Sequence, residues 1–337
     1  MMKPPFTPAA FTRRFLLAAG AAAVAVSPAA AQEAAPSAWQ RAWPETDFER
    51  ALVPFDEIFS GGVPRDGIPA LTDPAMIPVA EGDRLEAIEP VMTVEIEGTP
   101  PRAYPLRYLT WHEVANDSVG GLPIAVTFCP LCNSGLVFDR RVAGRVLEFG
   151  VSGMLRHSDL IMYDRETHTW WQQMDGRGIV GALAGERLEP VVTWMESWEA
   201  FAARNPDGLV MAEPAGHRRA YGQNPYVGYD TSPQPFLYQG EDPPHGIPPL
   251  ARVVRVGDRA WPLDRLAEEG EIVEDGLHLV WTEGMASALD GREIAASRDV
   301  GQVRVRDPAT GEDVVHEVVF AFAFHAFEPE GRWMLGR

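Results

Sequence analysis

Apolar and polar residues follow one another in short stretches closed by glycine or proline. The runs V-M-T-V-E-I-E (91–97), I-A-V-T-F (124–128), G-L-V-F-D (135–139), D-L-I-M-Y-D (159–164) and V-V-H-E-V-V-F-A-F-A-F (314–324) have the length and β-branched or aromatic content of strands. Helical patterns are few. One is predicted to start at Thr193, where Glu196 completes a T-x-x-E capping box and Asn205-Pro206 stops the run. Others are expected at 106–115 and 263–269. Residues 32–44 read as an extended lead-in, and the Pro/Gly/Tyr-rich stretch 214–249 reads as a connector.

The pattern also repeats. V-E-I-E-G-T-P-P-R-A-Y-P-L-R-Y-L (94–109) parallels V-R-V-G-D-R-A-W-P-L-D-R-L (254–266), and G-L-P-I-A-V-T (121–127) parallels G-L-H-L-V-W-T (276–282). The fold class expected is therefore α+β and strand-dominated, with few short helices and two related halves from an internal duplication, 45–213 and 250–337. In that alignment Cys129 and Cys132 fall opposite Gly284 and Ser287. The second half is a cysteine-free copy, so chemistry is expected in the first.

The N-terminus changes where such a protein is expected to work. Arg13-Arg14, an apolar run from Phe15 to Val26 and Ala29-Ala30-Ala31 read as an export signal over 1–31 that leaves Gln32 first. The T-R-R-F-L-L run resembles a twin-arginine signal. The destination is periplasmic or secreted. No later run is long and apolar enough to span a membrane, so the mature chain is expected to have no transmembrane segment. Charge sharpens this picture. The full chain of 337 residues carries 29 Lys+Arg against 48 Asp+Glu, a net charge of −19. An acidic surface of that size excludes nucleic-acid partners on electrostatic grounds. Its 46% hydrophobic content is that of a globular protein needing no disulfide staples.

The only two cysteines form C-P-L-C at 129–132, directly after a strand. Pro130 marks a helix start or tight turn there, whose backbone N–H groups are expected to lower the Cys129 thiol pKa. A structural disulfide across four residues would remove only about 1.9 kcal/mol of unfolded-state entropy. Three readings stand. The first is a metal-binding protein or metalloenzyme in which the Cys129 and Cys132 thiolates hold copper or zinc. The second is a thiol-disulfide oxidoreductase, with Cys129 as nucleophile and Cys132 resolving. The third is a non-enzymatic binding module whose cysteines fix a loop. The partner is then a metal or a small molecule that the sequence does not specify.

A metal would need further donors. His112, in W-H-E-V-A-N-D, is the nearest histidine in sequence, on a helix whose face Asn116 shares one turn on. His157 and His168 are further candidates, and Met154, Met162 and Met174 would suit copper(I). The second histidine of a zinc-protease helix is missing at Asn116. Arg65-Asp66 reads as a turn or a site-lining ion pair. Tyr221, Tyr226 and Tyr229 read as connector anchors or pocket walls, and Trp170, Trp171, Gln172 and Gln173 as a strand walling a cavity. Ser134-Gly135 forms no nucleophile elbow. The chain has no P-loop and no G-x-G-x-x-G, so no nucleotide cofactor is expected.

The segments S-G-G-V-P-R-D-G-I-P-A (60–70), W-H-E-V-A-N-D (111–117), V-T-F-C-P-L-C-N-S-G (126–135), S-D-L-I-M-Y-D-R-E-T (158–167), W-Q-Q-M-D-G (171–176) and Y-G-Q-N-P-Y-V-G-Y (221–229) together resemble the bacterial and archaeal family named domain of unknown function 3179, over roughly 45–330. The resemblance brings no activity with it. It implies asparagine at position 157 in many members, which moves weight from His157 to His112 as a shared ligand. The functional cleft is expected around the C-P-L-C turn, with the W-H-E-V-A-N-D helix beside it.

Overall fold

A strand that is apolar on both faces must be covered on both. The chain meets that need with five sheets of three to five strands and one two-stranded ribbon among the described residues. The structure is a computed structural model and describes residues 34–82 and 84–336. The export signal expected at 1–31 lies outside the described residues. Among the described residues five α-helices of six or seven residues accompany the strands, so the protein is strand-dominated with few short helices.

Two of the sheets share their order and strand senses. In one, Pro90–Val94 and Arg102–Pro105 form a hairpin flanked by antiparallel Thr193–Ser197 and parallel Leu209–Met211. In the other, Arg252–Val256 and Arg259–Pro262 form a hairpin flanked by antiparallel Glu317–Phe320 and parallel Arg332–Trp333. A parallel neighbour needs a crossover, and helices Trp198–Arg204 and Ala321–Phe327 lie on those crossovers. Each hairpin feeds a helix, Leu106–His112 or Leu263–Glu269, and then an antiparallel three-strand meander. The first turn of each meander is two residues with positive φ, Gly120-Gly121 in one and Asp275-Gly276 in the other.

What differs is an extra sheet. Between Ser134–Asp139 and Thr193–Ser197 the chain builds Phe149–Arg156, Asp159–Asp164, Trp170–Gln172 and Arg177–Val180, with Ile58–Ser60 added at one edge. At the matching point after Gln302–Arg306 only a short loop leads to Glu317–Phe320. The extra sheet has its own aromatic cluster, in which Trp39, Trp43 and Phe48 surround Trp170.

Several element boundaries differ from the sequence reading. Residues 37–42 of the expected lead-in are helical, because the turn brings Trp39 and Trp43 together onto Trp170. The helix expected over 106–115 stops at His112. Val114–Val119 is a strand paired with Leu122–Cys129, so His112 and Asn116 share no helical face. Thr193–Ser197 is a strand, and the helix begins at Trp198 with Ser197 Oγ accepting from the Ala200 N–H at 3.3 Å. The A-F-A-F alternation at 321–324 is helical rather than extended. Helix Leu263–Glu269 lies where expected.

Candidate functional site

Strand Leu122–Cys129 delivers Cys129 to its end, and strand Ser134–Asp139 leads away. Between them C-P-L-C is a hairpin turn, with Cys132 N–H donating to Cys129 O at 3.3 Å and Asn133 N–H donating to Pro130 O at 3.3 Å. Asn133 takes the left-handed φ of 53° that closes the turn, a conformation asparagine tolerates. The turn is pinned from outside. Asn133 Nδ2 donates to Val318 O at 2.7 Å, Phe320 N–H donates to Cys132 O at 2.9 Å, and Tyr229 Oη donates to Leu131 O at 2.9 Å. Both cysteines are free and almost fully buried.

The third member of the cluster comes from the extra sheet. Sγ of Cys129, Sγ of Cys132 and a carboxylate oxygen of Asp159 all lie within 4.8 Å of one another. Asp159 opens strand Asp159–Asp164 and has no exposed surface. Its Oδ2 accepts from Gln172 Nε2 at 2.6 Å and from Met174 N–H at 2.9 Å, while its Oδ1 has no hydrogen-bond partner. The side-chain amide oxygen of Gln172, whose Nε2 serves Asp159, is likewise buried without a partner.

Burial dominates the electrostatics. It pushes the Asp159 carboxyl up to about 7, against the opposing bonds from Gln172 and Met174. It also pushes the Cys129 thiol above its ordinary value, and Cys132 further still, with the negative charges of neighbouring groups adding to the effect. This corrects the expectation of a lowered Cys129 pKa: a hairpin turn in a dry environment outweighs whatever its backbone N–H groups contribute. Near the cluster, Glu113 is 7% exposed, and burial pushes its carboxyl up to about 8.

A cavity of about 570 Å³ adjoins the cluster. Leu131, from between the two cysteines, and Leu160, next to Asp159, form its inner wall, while Glu113, Tyr226, Tyr229 and Phe236 contribute further sides. The connector therefore roofs the site. Ser158 Oγ donates to Phe236 O, and Tyr226 Oη donates to Glu113 Oε1 at a long 3.5 Å.

His112 is not in the cluster. Its Nδ1 lies 2.6 Å from Pro69 O and its Nε2 lies 2.6 Å from Tyr221 Oη, so both nitrogens are engaged with connector and loop, and burial pushes its pKa down to about 4. His157 packs on Phe327, and His168 Nδ1 accepts from Arg65 at 2.9 Å. Met154 lines the cavity, Met162 lies in the core, and Met174 offers its backbone N–H to Asp159. Arg65 is stacked between Trp43 and Tyr163, and Asp66 accepts from Tyr163 and Arg165, an ion network away from the thiols. Asn116 bonds Leu71 and Phe149 backbone, and Asp117 holds Arg102 and Tyr104. Both are structural. The donor missed in the sequence, Asp159, opens a strand that ends in a second acid, Asp164, so nothing local singled it out.

The model of one family, described as "Protein of unknown function (DUF3179)", matches residues 65–331. The chain belongs to that family. No curated protein and no solved structure matches it. Among the described residues no helix is long and apolar enough to cross a membrane.

Proposed function

We propose that the protein binds a metal ion through the thiolates of Cys129 and Cys132 and the carboxylate of Asp159. The observation that carries this reading is the buried cluster of two sulfurs and a carboxylate oxygen, all within 4.8 Å of one another. Asp159 takes the role that His112 was expected to fill, since His112 has both ring nitrogens engaged elsewhere. Two thiolates and one carboxylate suit zinc, which accepts sulfur and oxygen donors together and leaves a fourth position open in catalytic sites. Copper(I) would take the two sulfurs alone. The cavity lined by Leu131 and Leu160, the sequence neighbours of these ligands, is the place for a small-molecule substrate in the fuller, metalloenzyme form of the reading.

Metal analysis and thiol titration of protein purified without tag or chelator test it. One equivalent of zinc or copper per chain, lost in Cys129→Ser, is the expected result. Metal-free protein with a reducible Cys129–Cys132 disulfide would overturn it in favour of the oxidoreductase.

The chain is exported in this reading, and metal coordination protects neighbouring thiols in an oxidising compartment. N-terminal sequencing of the exported protein should return Gln32 first, and Arg13-Arg14 replaced by Lys-Lys should block a twin-arginine route. The shared order of the two hairpin sheets supports descent of the halves from one duplicated unit.

A further inference from the structure

The two helices that follow the matching hairpins end in the same way. Helix Leu263–Glu269 is capped by Gly270 at φ 73°, ψ −40°, with its N–H bonded to Leu266 O. Helix Leu106–His112 is capped by Glu113 at φ 59°, ψ −32°, with its N–H bonded to Leu109 O. Glycine adopts such a conformation freely, whereas a residue with a Cβ is strained there by on the order of 1–3 kcal/mol. A glutamate at a glycine position needs a reason.

The surroundings of Glu113 supply one. The other buried acids among the described residues are compensated or belong to the thiol cluster. Glu89, Asp117, Glu196, Asp230 and Glu317 each meet an arginine. Asp164 accepts from Thr167, Thr169 and Trp171. Glu113 has neither arrangement. The one hydrogen bond of its side chain is the 3.5 Å contact from Tyr226 Oη, and Glu113 lines the cavity. No lysine, arginine or histidine lines that cavity among the described residues, and apart from Ser232 and the tyrosine hydroxyls its walls are otherwise apolar or aromatic. The chain's net charge of −19 raises the local concentration of cations and depletes anions.

We propose that this cavity binds an apolar monocation, an amine whose ammonium group pairs with Glu113 and whose hydrocarbon body lies against the apolar walls. The Tyr226, Tyr229 and Phe236 rings add aromatic faces that a cation favours. The volume is in the range of small-molecule sites. This goes beyond the metal reading and does not depend on it.

Calorimetric titration of the full mature chain at about pH 9, where the Glu113 carboxyl is ionised and an alkylamine keeps its proton, with phenylbutylamine, phenylbutanol and phenylbutyrate tests the proposal. The three probes share one body and differ in charge. The amine should bind at least about tenfold more tightly than the alcohol, and the carboxylate should not bind. Glu113→Gln should remove the amine's advantage. Glu113→Gly should do the same while raising the unfolding midpoint, which separates lost recognition from lost folding. The amine preference should persist in Cys129→Ser, so a failed metal reading leaves this one standing and the reverse also holds. Equal binding of alcohol and amine, an unchanged preference in Glu113→Gln, or no binding by any probe would overturn it.

Discussion

Asp159 shows how much a single buried carboxylate can decide. In Asp159→Asn the side chain keeps its shape and loses its charge, so the metal-free protein should fold with unchanged or slightly higher stability, the desolvated acid being gone. Metal affinity should fall by about tenfold or more, as loss of one donor of three demands. Competition with a chromophoric chelator measures the second effect, and undiminished affinity would show that Asp159 is not a ligand. His157 makes the opposite case, a residue whose role is thermodynamic. Burial first, and the Arg156 charge second, push its imidazole down to about 4, with Glu57 opposing. The unfolded chain titrates near ~6.5 and so takes the proton more readily. Stability from neutral His157 is therefore complete above ~6.5 and drains away as the pH falls towards 4. Asparagine fits the φ of 52° at this position. His157→Asn should thus match the wild type at neutral pH and exceed it by on the order of 1–2 kcal/mol at pH ~5, read from urea midpoints. The cysteines were legible from spacing alone, since only two occur and they are adjacent to a strand. Asp159 was not, because its partners come from a different sheet and nothing local marks their convergence.

At the scale of elements, local signals were reliable where the chain obeyed them. Helix Leu263–Glu269 ends at Gly270, and its boundary was legible from that glycine. Helix Leu106–His112 ends at a glutamate, so the pattern ran on into Val114–Val119 and turned a strand into helix. At Thr193 a valid capping box was overridden: strand pairing with Pro90–Val94 claimed the segment, and Glu196 serves Arg204 instead. Strand Phe149–Arg156 carries a further local device. Its pairing with Asp159–Asp164 shifts between Val151 and Met154, and Gly153 lies in the irregularity at φ 78°. A Cβ on Gly153 would lie 2.2 Å from Val63 O. Gly153 O also accepts from Gly61 N–H at 2.8 Å, so the bulge holds the loop that closes one side of the cavity. Gly153→Ala should cost more than about 1 kcal/mol in stability. It should also weaken phenylbutylamine binding by displacing Val63. A variant as stable as the wild type would mean that the loop moves aside without consequence.

At the scale of the whole molecule, the site sits where three origins meet: the C-P-L-C turn and Glu113 on the first meander, Asp159 on the extra sheet, and the tyrosines on the connector. The likeness of the two hairpin sheets was legible because their turns and aromatic-Pro-Leu helix entries recur in sequence. The extra sheet's placement was not, because strand partners up to about a hundred residues apart leave no periodic trace. In the other meander the matching strands are joined not by a tight turn but by the long loop 283–301, where Ser287 donates to Asp230 Oδ2 at 2.6 Å, and that oxygen also receives Arg252 at 3.0 Å and Arg298 at 3.1 Å. Asp230 belongs to the connector, so the 283–301 loop anchors the segment that roofs the C-P-L-C turn. Arg252 is buried, and a guanidinium left there without its counter-charge is costly, whereas replacing the whole pair by apolar groups is not. Asp230→Asn should therefore lose about 3–5 kcal/mol, and the double variant Asp230→Leu/Arg252→Met should recover most of it. Binding should separate the two roles of the connector. If the anchor holds the roof in place, the double variant, though stable, should bind phenylbutylamine more weakly than the wild type. Unimpaired binding in a stable double variant would show that Tyr226 and Tyr229 are held by their bonds to Glu113 and Leu131 alone.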